Sequence, residues 1–274
     1  MIRGRLDKFI EMFGYKPIIG MVHLPPLPGS PLYEGGGINS IIDYALEEAT
    51  ILEQEGVNGI EIENFMDPSY FPGTVGPELV SAMAIIAHEI KKKIHLPLGI
   101  CILADPIASI AVAHAVKAEF IRATVFTEAV VDVSGLILGR PHEILRYRKF
   151  LDNSIKIFAD VQIKHSAPLA PRPIQESAYD AAYFLADAVI ISGKHTGFPT
   201  PVEDVKVVKE VLPDVPVLVG SGLTAENVTR LFEYADGAIV GTYFKYEGKS
   251  ENRIDRERVK KLVGVVDSIR KSRA

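Results

Sequence analysis

Short runs of branched apolar residues alternate along the whole chain with longer segments whose apolar positions recur at helical spacing. The runs at 18–24, 59–63, 98–102, 120–124, 156–164, 188–192, 217–220 and 238–241 predict eight strands. Helical stretches fall between them, among them 41–55, 78–92, 107–117 and 202–211. Start signals for these are Asn39 or Ser40, Pro77, Asp105-Pro106 and Thr200-Pro201, with Thr224 opening a later one. Eight strand–helix units in series, with no break in composition, predict an α/β fold. The architecture expected is a single (β/α)8 TIM barrel over residues 1–274, with a short N-terminal extension of about 16 residues.

Loop lengths agree with that reading. Links from helix to strand are terse, whereas those from strand to helix are long: 25–37, 64–76, 125–139, 165–174 and 193–200. In a closed barrel all the long ones gather at one end, the C-terminal face where barrel enzymes keep their sites.

Strand alternation then sorts the polar residues. In Phe158-Ala159-Asp160-Val161-Gln162-Ile163-Lys164 the polar positions share one parity, and a polar row facing the helix layer would be costly to bury. Asp160, Gln162 and Lys164 are therefore expected inside the barrel. The same reasoning places Glu61, Glu63, Arg122 and His23 there. Near the C-terminus, Val219-Gly220-Ser221-Gly222 and Asp236-Gly237-Ala238-Ile239-Val240-Gly241-Thr242 each run from a strand into a small-residue turn. Such turns let backbone N–H groups converge on an anion, and a pair of them after the last two strands is the usual phosphate grip of a barrel. Gly220, Ser221, Gly222, Gly241 and Thr242, with Gly193 and Gln162, are the expected phosphate and substrate contacts.

The expected catalytic set is Asp160, Lys164, Glu61, Glu63, Arg122 and His23. It admits acid–base work beside a carbonyl, a Schiff base on Lys164, or a divalent metal on Glu61, Glu63, Asp160 and His23, although no compact ligand motif announces one. No organic cofactor is expected. Cys101, between Ile100 and Ile102, is taken as a small core residue.

Composition narrows the partners. A net charge of −5 without a basic block argues against nucleic acid, and one cysteine among 274 residues excludes an intrachain disulfide framework. The first 14 residues hold no signal-type apolar run, and the most apolar window, 98–116, is broken by Asp105-Pro106. No transmembrane segment and a cytoplasmic location are expected. The apolar stretch 129–139 lies in a long loop, and a homo-oligomer is expected to use it, with a partner protein as the other candidate.

Four blocks carry a family likeness. Ile19-Gly20-Met21-Val22-His23-Leu24-Pro25-Pro26-Leu27-Pro28-Gly29-Ser30-Pro31 and Phe158-Ala159-Asp160-Val161-Gln162-Ile163-Lys164-His165 are the specific ones. Gly59-Ile60-Glu61-Ile62-Glu63-Asn64-Phe65 and the closing glycine turns complete the set. In this order they resemble the BtpA family. The resemblance implies a phosphate-binding barrel, and it brings a non-catalytic alternative, because the family is named for a factor in photosystem I biogenesis.

Overall fold

The computed structural model describes residues 4–272. Eight parallel strands close into a barrel: β1 (Ile18–His23), β2 (Gly59–Glu63), β3 (Leu98–Cys101), β4 (Phe120–Ala123), β7 (Lys156–Val161), β9 (Ala188–Ile191), β10 (Val217–Val219) and β11 (Gly237–Val240). The last pairs with the first through Ile18↔Ala238, Ile19↔Ile239 and Gly20↔Val240. These are the eight predicted runs: β2 as expected, β11 shifted one residue toward the N-terminus, and the others shortened by one to three residues at their C-terminal ends. Both faces of each strand are covered, which is why the runs are so uniformly apolar.

Around the barrel lie α2 (Ile38–Gln54), α3 (Pro77–Lys93), α4 (Pro106–Val116), α5 (Pro141–Leu151), α6 (Ile174–Tyr183), α7 (Val202–Val211), α8 (Val228–Leu231) and α9 (Arg256–Lys271). Proline occupies the first turn of α3, α4 and α5, where its missing N–H costs nothing. Asp105 caps α4 by accepting the Ala108 N–H at 3.0 Å, as its position in the sequence suggests. Asn39 and Ser40 lie inside α2, which starts after Gly37 without a side-chain cap. Thr200 does not cap α7; its hydroxyl donates to the Ser221 carbonyl at 2.9 Å and so braces the turn after β10.

Two features stand outside the strand–helix count. The segment before β1 forms α1 (Arg5–Phe13), which lies across the base of the barrel. Its buried Phe9 and Phe13 pack on Phe158, and Phe13 on Phe120, at centroid distances of 5.7–6.1 Å. The barrel interior at that level is apolar, with Ile19, Met21, Ile190, Leu218 and Ile239 alongside. The second feature is a small antiparallel sheet on the loop side, formed by β5 (Ala129–Asp132), β6 (Gly135–Leu138) and β8 (Ala167–Pro168) in the order β6-β5-β8. Val130 and Ile137 face inward, whereas Val131, Val133, Leu136, Leu138 and Leu169 are exposed. Among the described residues no helix is long and apolar enough to cross a membrane.

Candidate active site at the C-terminal mouth of the barrel

Above the aromatic layer the interior turns polar on β1, β2, β4 and β7, which carry His23, Glu61 and Glu63, Arg122, and Asp160. Arg122, two residues beyond Phe120 on β4, is almost fully buried and grips Asp160 of β7 bidentately: Nε to Oδ2 at 2.7 Å and Nη2 to Oδ1 at 2.9 Å. Its Nη1 lies 3.6 Å from Glu63 and 3.8 Å from Glu61. Burial acts to lower the Arg122 pKa, but Asp160, Glu61 and Glu63 together outweigh it and hold the guanidinium well above its ordinary value. Both Glu61 oxygens are buried and accept no hydrogen bond among the described residues. Burial therefore pushes its pKa up to about 8, with Arg122 opposing and Glu63 and Asp160 adding to the rise. The rise favours the protonated acid, beneath an ion cluster in which Arg122 faces Asp160 and Glu63.

Cys101 lies beside Glu63 in the β2–β3 register, and burial pushes its thiol well above its ordinary pKa. Ligand atoms of Glu61, Glu63 and Cys101 fall within 4.8 Å of one another, close enough to hold a cation. Arg122 Nη1 already sits against both carboxylates, so a metal ion there would share their charge with a guanidinium. The grouping differs from the expected metal set: Cys101 joins it, and Asp160 is occupied by Arg122.

His23 ends β1. Its Nδ1 lies 3.1 Å from the Ser250 carbonyl, which can only accept, so Nδ1 carries the proton and Nε2 is bare in the neutral ring. Burial, and then Lys245, hold its pKa well below the usual histidine value. The ring stacks on Phe65 at 4.1 Å. The backbone at Gly241 also comes so close that a Cβ there would lie 3.0 Å from Nε2. Lys164 arrives differently from the way strand parity suggests: β7 stops at Val161, and the following loop carries Lys164 to the same cavity. Burial and the neighbouring Arg122 lower its pKa, with Glu63 and Asp160 opposing.

The two glycine turns close one cavity with these groups. Its walls are Gly220, Ser221, Gly222, Gly241 and Thr242 on one side and His23, Glu63, Arg122 and Lys164 on the other, with Thr196 and Gly197 at the rim. The free space is about 30 Å³, room for roughly two waters. A phosphate head fits that scale, and a larger molecule needs the rim loops to move. Gly222 has φ 62°, and a Cβ there would meet the Phe198 carbonyl at 2.3 Å, so both backbone conformation and space require glycine.

Several expected residues stand elsewhere. Gln162 has φ 49°, which turns it out of strand alternation, and its amide donates to the Arg172 carbonyl and the Ser177 hydroxyl. It is not a wall of this cavity. Gly193 lies behind the turn, its N–H donating to Ser221 Oγ at 2.7 Å, while that hydroxyl donates to the Phe198 carbonyl. Ser221 can thus offer a ligand its backbone more readily than its side chain. Glu61 and Asp160 sit beyond Arg122, off the cavity wall.

Other residues of the site carry no local sequence signal. Lys245 and Glu48, both fully buried, pair at 2.6 Å, and the other Glu48 oxygen accepts the Ile254 N–H. This pair fastens the loop after β11 onto α2 and so holds Ser250 against His23. The Thr242 and Ser250 hydroxyls share a bond of 2.7 Å in the same loop.

Relatives share most of the chain. An uncharacterized protein of Thermococcus kodakarensis is 43% identical over 95% of this chain and 98% of its own length. The photosystem I biogenesis protein BtpA of Synechocystis is 37% identical over 94% of this chain and 90% of its own. A Caenorhabditis elegans relative described as mitochondrial is 36% identical over 93% and 94%. Among solved structures, the (S)-3-O-geranylgeranylglyceryl phosphate synthase of Thermoplasma acidophilum, bound to sn-glycerol-1-phosphate, superposes with a TM-score of 0.60 at 18% identity, covering 98% of this chain and all of the other. A Schiff-base-forming fructose-1,6-bisphosphate aldolase superposes with a TM-score of 0.57 at 14% identity, covering 96% and all of the other. Those identities carry the fold alone, a TIM barrel. The BtpA family pattern itself matches residues 14–268, nearly the full length, and the chain belongs to the BtpA family.

Proposed function

We propose that this protein is an enzyme acting on a small phosphorylated carbonyl compound, by aldol or retro-aldol cleavage, isomerisation or a related lyase step. What supports the reading is one juxtaposition: the paired glycine turns and the group His23, Glu63, Arg122 and Lys164 bound a single cavity. The turns at 220–222 and 241–242 hold the phosphate through backbone N–H groups, placing the carbonyl against Lys164. A lowered Lys164 pKa enlarges its free-amine fraction. The amine adds to the carbonyl carbon; the carbonyl oxygen leaves as water, taking one amine proton and one from an acid, and an iminium remains. That iminium accepts the electron pair of the bond being broken. Glu63, on the cavity wall, takes the substrate hydroxyl proton, Arg122 stabilises developing negative charge, and Asp160 positions Arg122.

The test is borohydride trapping with a panel of phosphorylated aldehydes and ketones, read by intact mass. The expected result is an adduct on the wild type that Lys164→Met lacks. No adduct and no turnover with any of them would overturn the proposal.

A second reading has its own support: the name of the Synechocystis relative, and the exposed Val133, Leu136 and Leu138 on the β5–β6 hairpin. In it the hairpin meets a second copy or a partner protein. Leu136→Lys with Leu138→Lys, examined by light scattering and by partner pull-down, separates the cases. A fall to monomer supports self-association, unchanged mass with lost partner capture supports an assembly role, and neither change removes the hairpin from consideration.

A further inference from the structure

At the opposite pole of the barrel, α1 does not seal the base completely. A cavity of about 220 Å³ remains between it, the start of β7 and the end of α6. Its apolar lining is Phe9, Met12, Phe13, Phe158 and Leu185, and its polar lining is dominated by Arg5, Lys8, Arg148 and Lys156. The one carboxylate, Asp187, is already engaged: it accepts from Arg148 Nη1 at 2.8 Å and from the Ile157 N–H at 2.9 Å. On a chain of net charge −5, four cationic side chains around one apolar hollow form a local reversal of sign, with Arg5 held in place by the Ala182 and Ala186 carbonyls, to which its Nη1 donates at 2.8 and 2.7 Å. Arg148 is nine-tenths buried, and its Nη1 bonds to Asp187 and to the Ile155 carbonyl fix its guanidinium in the wall of the hollow. The N-terminal end of α1, at Gly4 and Arg5, borders the same hollow and adds its positive dipole end.

We propose that this basal cavity is a second binding site, for a small aromatic carboxylate. Size, walls and charge each contribute. A cavity of about 150 Å³ suffices for a benzene ring, so this one holds a ring with a carboxylate to spare. Phenyl faces and edges together with a methionine thioether favour a flat aromatic body over a branched aliphatic one. The basic residues supply the counter-charge, and a guanidinium suits a planar carboxylate. None of these residues belongs to the site at the mouth, so this inference stands or falls apart from the proposed enzymatic activity.

The experiment is isothermal titration calorimetry of the full chain with benzoate and with its neutral counterpart benzamide. One benzoate per chain is expected, with benzamide weaker by about tenfold or more, the scale of a lost charge-assisted contact. Lys8→Glu, on the exposed rim, should weaken benzoate severalfold, Met12→Trp should abolish binding by filling the hollow, and Lys164→Met should leave it unchanged. The comparison with benzamide needs no variant, so a failure of Met12→Trp to fold does not blunt the test. Equal affinity for benzoate and benzamide, no binding heat at about 20 mM benzoate at either of two temperatures, or loss of binding in Lys164→Met would each overturn the proposal.

Discussion

Phe120 and Arg122 lie two residues apart on β4, and Phe158 and Asp160 lie two apart on β7, yet the two pairs behave as different materials. The lower pair is a ring stack, centroids 4.6 Å apart, backed by the rings of α1. The upper pair is a bidentate ion pair with two more carboxylates against its guanidinium. The same backbone, register and inward parity serve both. The lower layer lowers the free energy of the fold by excluding water, and a similar apolar residue could replace any of its members. The upper layer must first overcome desolvation of several charges, which well-packed apolar residues would avoid. Its persistence next to a phosphate-sized cavity is a reason to look for chemistry there.

Four changes test that contrast. The largest effect is expected from Lys164→Met: turnover on any substrate identified by trapping should fall by about 10²–10⁴-fold or more, the scale of one positioned catalytic group, with the unfolding midpoint nearly unchanged. A loss of stability without a loss of rate would assign Lys164 to structure. Arg122→Met should come next, costing about 3–5 kcal/mol in urea unfolding because Asp160 and Glu63 are left buried without a counter-charge. A cost near zero would make the upper layer as replaceable as the lower.

The third change is Glu61→Gln, and pH reads it out. The unfolded carboxyl ionises near 4.5, whereas the folded one keeps its proton to about pH 8. Between those values the native state binds the extra proton, so this group's contribution is fully present below pH 4.5 and is lost as pH rises toward 8. The slope is at most about 1.4 kcal/mol per pH unit. Glu61→Gln should remove it, and the difference between wild type and variant, measured at pH 5, 6, 7 and 8, isolates it from the opposite trend of His23, whose lowered pKa costs stability on the acid side. Parallel curves would mean that Glu61 is ionised in the fold. The smallest effect is expected from Phe158→Leu in the lower layer, about 1–2 kcal/mol at every pH by thermal or urea unfolding. A pH-dependent cost there would show that the two layers are not separable.

The sequence carries the barrel plainly, because a parallel sheet covered on both faces leaves uninterrupted branched apolar runs, and each run ends in a small-residue or polar turn. Inward parity also identifies Glu61, Glu63, Arg122 and Asp160, since each sits within the strand that places it. Parity fails where the strand does: β7 ends at Val161, and the positive φ at Gln162 breaks the alternation, so Gln162 faces α6 and Lys164 reaches the cavity along a loop. Gly193 resembles a ligand contact in sequence, but its N–H is satisfied by Ser221. The Lys245–Glu48 pair joins residues 197 apart, and the seat of Ser250 on His23 spans 227, separations at which no local pattern operates. In the sequence the hairpin of β5 and β6 shows only as an apolar stretch within a long loop, and α1 only as a short N-terminal extension that mixes charged and apolar residues.

The aromatic plug at the base also sets an order of events during synthesis. Phe9 and Phe13 are made 149 and 145 residues before Phe158, one of the rings they pack on. At about 5–20 residues per second, roughly 7 to 30 seconds pass before that partner is made. For that interval the two rings have no Phe158 to pack on, and the base of the barrel stays incomplete until β7 has been made.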